Sequence, residues 1–214
     1  MGLISLLYSD PSSFIILCVC LVFSLCFHEF AHAICAFKLG DDTAYRQNRV
    51  NINPLNHLDP LGTVMILFVG FGWAKPVPVN PLNLRNKESD MMKIAFAGPA
   101  ANLFIAFFTL FMISIFPSLM LYEKIVTPLY FINIFLAIFN LLPISPLDGS
   151  QIFNPIIMKY NRNLAHQLIM NGPMVLFGII IFGHLTGFSL LSYILYPAAS
   201  FIDSIFSSII SFFV

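Results

Sequence analysis

Residues 14–39 read FIILCVCLVFSLCFHEFAHAICAFKL. A helix needs about 20 predominantly apolar residues to cross a bilayer, and this stretch exceeds that length. Asp10-Pro11 ahead of it supply an N-cap and a proline for the first helical position, and Gly40-Asp41-Asp42 behind it supply a stop. The reading is a membrane-spanning helix. It carries a contradiction, because His28, Glu29 and His32 lie inside it as H-E-x-x-H. Ionisable groups within a span are costly and mark functional sites.

The whole chain agrees with the membrane reading. Of 214 residues, 58% are hydrophobic and 9% are charged, against about 25% charged in an ordinary soluble domain. Mean hydropathy is +0.88. Formal net charge is zero, so nothing points to nucleic acid as a partner. The four cysteines, Cys18, Cys20, Cys26 and Cys35, all fall in the first span. They read as small buried apolar residues rather than a disulfide framework, although Cys35, three residues past His32, is a conceivable metal ligand. The N-terminus shows neither the basic region nor the cleavage site of a secretory signal. Met1-Gly2 with Ser5 gives only a loose myristoylation pattern.

Further along, Arg49-Val-Asn-Ile-Asn-Pro alternates polar and apolar residues and predicts a short strand. Leu61–Trp73 is apolar but too short to span, so a re-entrant or interfacial element is expected. Trp73-Ala-Lys-Pro-Val-Pro-Val-Asn80 must be extended, since its prolines remove donors and disfavour helix before them. Either it is a rigid loop or it offers an edge to another extended chain. A second span is expected over about Met91–Met120, rich in small residues that let helices approach. A third follows over about Thr127–Leu142, then a polar linker over Ser150–Gln167 and a fourth span over about Leu168–Leu185. Ser189–Val214 is a fifth span or an interfacial helix, with Pro197 and Asp203 within it.

Lys38, Arg46, Arg49, Lys75, Arg85, Lys87 and Lys93 lie at or between the first two spans, and Lys159 and Arg162 follow the third. Only Lys124 lies between the second and third. By the positive-inside rule the Gly40–Asp90 region is cytoplasmic and the N-terminus is outside. His28–His32 and Asp148 then approach from the same side.

The spacing of His28 and His32 puts both imidazoles on one helical face, able to hold one metal ion. Glu29, rotated by about 100°, can reach a water on that ion. Zinc lowers the pKa of such a water to about 7 and usually takes three protein ligands. The H-E-x-x-H-x-x-G-x-x-H pattern fails, because Cys35 and Lys38 stand at its remaining positions. Asp148, between Pro146 and Gly149 at the end of an apolar span, needs a partner. It is either the third ligand or a helix N-cap.

Several motifs in order resemble the site-2 protease family of intramembrane zinc metalloproteases. Phe27-His-Glu-Phe-Ala-His32 is similar to the first family motif. Ala97-Gly-Pro-Ala-Ala-Asn102 resembles the helix motif with an asparagine near the site. Asn140-Leu-Leu-Pro-Ile-Ser-Pro-Leu-Asp148-Gly149 resembles the third motif. Asn53-Pro-Leu, His57-Leu-Asp-Pro-Leu-Gly-Thr63 and Trp73–Asn80 resemble a compact prokaryotic branch. The likeness covers about Phe14 to Phe153.

The resemblance implies one zinc ion on His28, His32 and Asp148, with Glu29 as catalytic acid and base. Asn102 and Asn140 would orient substrate or stabilise the oxyanion, though either could equally form interhelical hydrogen bonds. It also implies an all-α polytopic fold: a three-helix catalytic core within about residues 14–153, flanking transmembrane or interfacial helices at about 168–214, and a short β or re-entrant segment. Residues 1–214 would form one integral membrane domain in a prokaryotic cell membrane, with the site in the cytoplasmic half of the bilayer.

Transmembrane proteins would be the substrates and the bilayer a partner. No segment is long enough for the PDZ or CBS domains of many relatives, so selection would fall to the membrane part or an adaptor. A metal-ion transporter and an inactive helix-binding relative are the competing readings. The first is disfavoured by the absence of internal repeats and by Glu29 beside a ligand. The second is disfavoured by the complete catalytic set. No role follows for His57, and His166 and His184 read as surface or interface residues.

Overall fold

A computed structural model describes residues 4–69, 72–116, 118 and 123–213. Among them the architecture is all-helical, with five helices long and apolar enough to cross a membrane. After the short α1 (Ile4–Ser9), these are α2 (Pro11–Lys38), α6 (Lys87–Ile115), α7 (Glu123–Asn140), α9 (Arg162–Thr186) and α10 (Leu190–Ile210). Three short helices, α3 (Thr43–Arg46), α4 (Pro54–His57) and α5 (Pro60–Val69), lie between α2 and α6, and α8 (Asp148–Tyr160) lies between α7 and α9. Many large apolar side chains remain exposed around the bundle, among them Phe104, Met174, Phe177 and Phe201. Such a surface suits lipid and not water.

Asp10 caps α2 as its sequence demands, its carboxylate accepting the Ser13 N–H at 3.1 Å, with Pro11 in the first turn. Helices α2, α6 and α7 pack against one another. Their seams are lined by Ala33, Ala36, Ala95, Ala106 and Ala137, all buried. Helices in lipid gain no hydrophobic advantage from meeting, so close backbone approach through small residues supplies the attraction. Helix α10 contacts α7, α6 and α9, meeting α6 and α7 through a cluster of Ala106, Tyr130, Ile134, Ile138 and Ala199. The one charge of α10, Asp203, accepts a hydrogen bond from the Tyr130 hydroxyl at 2.5 Å. The tail is thus a full-length candidate span, not only an apolar end.

Three expectations need correction. Residues 49–53 are not a strand. Asn48 has positive φ, the Asn51 side-chain amide donates to the Asn48 carbonyl at 2.6 Å, and the Asn51 side-chain Oδ1 accepts the Asn53 N–H at 2.8 Å. These local bonds satisfy the backbone where a ladder would have. The one β-pairing among the described residues is an isolated antiparallel bridge between Leu58 and Ala74. Next, the expected polar linker over 150–167 is mostly helix α8, with Asn161 capping α9 behind it. Ile152, Phe153, Ile156 and Ile157 sit at helical spacing within it, a pattern masked by Pro155 and the surrounding polar residues. Finally, the second span ends at Ile115, short of the expected Met120. Residues 117, 119 and 120, with Gly70, Phe71, Met1 and Gly2, lie outside the described residues.

The short elements hold the extended segment. Lys75 N–H donates to the His57 carbonyl at 2.8 Å, and the buried Arg49 guanidinium donates to the Lys75 carbonyl at 2.6 Å. Asp41, just past α2, takes the other end, accepting from Asn80 N–H at 2.7 Å and the Asn83 amide at 2.8 Å, as well as from Thr43. Burial pushes the Asp41 carboxyl up, but these hydrogen bonds together hold it below its ordinary value. Burial, with Arg49 alongside, holds the His57 imidazole below its own.

Tyr130→Phe removes the hydroxyl and leaves Asp203 without its partner. Such a hydrogen bond to a charged group contributes about 1.5–3 kcal/mol. Thermal unfolding in detergent should show a clear drop in midpoint for Tyr130→Phe and little change for Ser204→Ala, which lies on an exposed part of the same helix.

Candidate metal centre

The fold brings His28, His32 and Asp148 together although Asp148 is 120 residues from His28. Asp148 opens α8. Gly149 behind it lets the start of α8 press against the carbonyls of Leu141 and Leu142 at the end of α7, where a Cβ would collide. The side chain of Asp148 points not at its own helix end but at α2. Its Oδ2 lies 3.1 Å from His28 Nε2 and 3.2 Å from His32 Nε2, and the two Nε2 atoms are 3.1 Å apart. These three atoms form a nearly equilateral triangle.

The outer edges of both imidazoles are engaged. His28 Nδ1–H donates to Asn102 Oδ1 at 2.6 Å, and His32 Nδ1–H donates to the Ile94 carbonyl at 2.6 Å. The Asn102 amide cannot turn over. Its Nδ2 donates to Asn133 Oδ1 at 2.8 Å and to the Ser24 carbonyl at 3.3 Å. Asn133 Nδ2 in turn donates to Ser24 Oγ and the Leu129 carbonyl, both at 2.8 Å. This chain fixes Asn102 Oδ1 toward His28 and the His28 proton on Nδ1. Both Nε2 lone pairs therefore face inward beside a carboxylate.

Three acceptors with no donor among them require a cation or added protons. Zinc with nitrogen and oxygen ligands at about 2.0–2.2 Å in tetrahedral geometry sets its donor atoms about 3.3 Å apart. The observed triangle fits that spacing, and the donors behind each imidazole match the outer shell that orients metal-bound histidines.

Gly98 of α6 faces the pair. A Cβ there would fall within 2.6 Å of His28 Nε2 and closer still to His32 Nε2. Glu29 is largely buried and lines the same cavity of about 590 Å³ as His28, His32 and Asp148. Asn140 also lines this cavity, with its amide donating to the Leu136 carbonyl at 3.0 Å. Trp73, Ala74, Pro76, Val77 and Val79 of the extended segment form another wall. Cys35 lies outside the cluster.

Of the two roles open to Asn102, the structure shows interhelical hydrogen bonds. Asn102 is fully buried behind His28 and its amide is fully committed there. Sequence reading passed over Ser24 and Asn133, and gave Gly98 no role beyond close helix approach. Ser24 is one turn before His28, and Asn133 is a lone amide within an apolar span. Both carried the signal of polarity where lipid forbids it.

A family model for peptidase family M50 matches residues 119–183. The chain is 37% identical over 200 residues to YwhC of Bacillus subtilis, with 89% of each chain covered. The chain belongs to peptidase family M50. This is the site-2 protease family, and the protein is a zinc metalloprotease by that membership. It is also 32% identical over 161 residues to MJ0611 of Methanocaldococcus jannaschii, with 72% of this chain and 80% of the relative covered. A third relative, Rip2 of Mycolicibacterium smegmatis, is 32% identical over 142 residues, covering 62% of this chain and 53% of its own. Each of the three bears a name of the form "Putative zinc metalloprotease". No solved structure matches the chain at a significant level.

Gly98→Ala drives a methyl group into both imidazoles. Metal analysis of the purified protein should show zinc content falling at least tenfold, whereas Gly178→Ala, where a Cβ meets open space, should leave it unchanged.

Proposed function

We propose that the protein is an intramembrane protease that hydrolyses peptide bonds of transmembrane proteins with one zinc ion held by His28, His32 and Asp148. The observation that carries this reading is the acceptor triangle with Glu29 at its side, set in a cavity walled by extended backbone. Zinc bound there would lower the pKa of a water and polarise a carbonyl. The chain's own residues do the rest. Glu29 takes a proton at its carboxylate during attack and returns it to the departing amine. Asn102 acts through His28, holding its tautomer and ring. Asn140, with its oxygen free of the bond its amide makes to Leu136, is placed to meet substrate within the cavity.

A helical substrate hides its peptide bonds in its own hydrogen bonds and must unwind to be cut. The segment from Trp73 to Val79 is bonded along one edge to His57 and Leu58 and faces the cavity. This supports a role as a template for an added strand. Helices α2, α6 and α7 would form the catalytic core within a single membrane domain. By charge bias the site lies in the cytoplasmic half of the bilayer. There the non-helical segment is backed by protein along its bonded edge and lines the chamber that holds the ligands, a setting in which such backbone is tolerated at membrane depth.

Glu29→Gln tests the mechanism. With a model transmembrane substrate in detergent or liposomes, the variant should retain zinc and lose cleavage by at least a hundredfold, as removal of a general base does. Equal cleavage by variant and wild type would rule out the role given to Glu29.

A further inference from the structure

Next to the metal cavity, Met91, Pro146 and Gln151 also line a second cleft of about 1100 Å³ between the start of α6 and the α8–α9 corner. Its outer end carries Lys159, Arg162 and His166, all exposed, against one acidic group, Glu88, on the α6 side. Asn154 lies in its lining, 6% exposed, with its Oδ1 lacking any hydrogen-bond partner. A buried carbonyl oxygen left unpaired is costly. A turn of the side chain would bring it to an N–H donor entering the cleft.

The geometry points to a subsite for the cytoplasmic flank of the substrate, one that accepts acidic residues and rejects basic ones. This inference rests on the proteolytic reading above. An extended peptide leaving the metal centre through the shared wall would present a main-chain N–H to Asn154 Oδ1. Asp148 opens α8 and Lys159 lies in its last turn. At 1.5 Å rise per residue the basic end lies about 16 Å from the metal centre, or about five residues of extended chain. A carboxylate on about the fifth residue from the scissile bond would meet Lys159 and Arg162.

The consequence is selection by rejection. Membrane proteins as a class carry Lys and Arg on their cytoplasmic flanks. A basic rim turns that common feature into a repulsive one and spares the bulk of the membrane proteome. Substrates with acidic or neutral flanks would remain.

The test uses full-length Glu29→Gln protein in nanodiscs of zwitterionic lipid. Labelled transmembrane peptides carry two Asp, two Lys or two Ser at the fifth and sixth flank positions, and their affinities are measured at low and high salt. The acidic peptide should bind on the order of fivefold more tightly than the basic one at low salt, with the gap closing as salt is raised. Lys159→Glu with Arg162→Glu should reverse the order. Equal affinities, or an order indifferent to the double change, would overturn the subsite. A preference seen in zwitterionic lipid but lost in phosphatidylglycerol-rich nanodiscs at equal salt would overturn it in favour of an anionic lipid site. Absence of cleavage of any peptide by wild type, with the binding order intact, would count against the proteolytic reading alone.

Discussion

Everything around the site depends on one constraint: two imidazoles and a carboxylate are held with their acceptor atoms converging. Left alone, such a group would repel itself or collect protons. The fold prevents both outcomes from relaxing the geometry. A chain of hydrogen bonds from Leu129 through Asn133 and Asn102 fixes the His28 proton on its outer nitrogen, and the Ile94 carbonyl does the same for His32. Polar groups inside an apolar bundle are costly to leave unpaired, and here their pairing determines which face of each ring is offered to a cation.

That constraint shapes the packing. Ser24, Asn102 and Asn133 come from α2, α6 and α7 and are each fully buried, so the relay that orients His28 also ties the three helices. The alanine seams allow the short distances the relay needs. Gly98 leaves the space the imidazoles fill, and Gly149 lets Asp148 arrive from the far end of the chain. Support of the site and cohesion of the bundle are the same set of contacts.

How much of this was legible follows from what each signal depends on. The spans around α2, α6, α7 and α9 could be read because length and apolarity suffice to mark them. His28, Glu29 and His32 could be read because their spacing is local to one helix. Asp148 needed its odd position at a span end. The amide relay was not read, because Ser24 and Asn133 gain meaning only when three helices meet. The strand expected at Arg49–Asn53 failed because alternation is a weak signal where Asn side chains can bond their own backbone. Helix α8 was hidden by Pro155 and by polar residues that belong to a cleft rather than to a linker.

The most direct test of the convergent triangle is X-ray absorption at the zinc edge on the wild-type protein loaded with one equivalent of zinc. The account requires two imidazole nitrogens and carboxylate oxygen at about 2.0–2.2 Å, with one imidazole signature lost in His32→Ala. A sulfur neighbour at about 2.3 Å, or a spectrum without imidazole scattering, would contradict it.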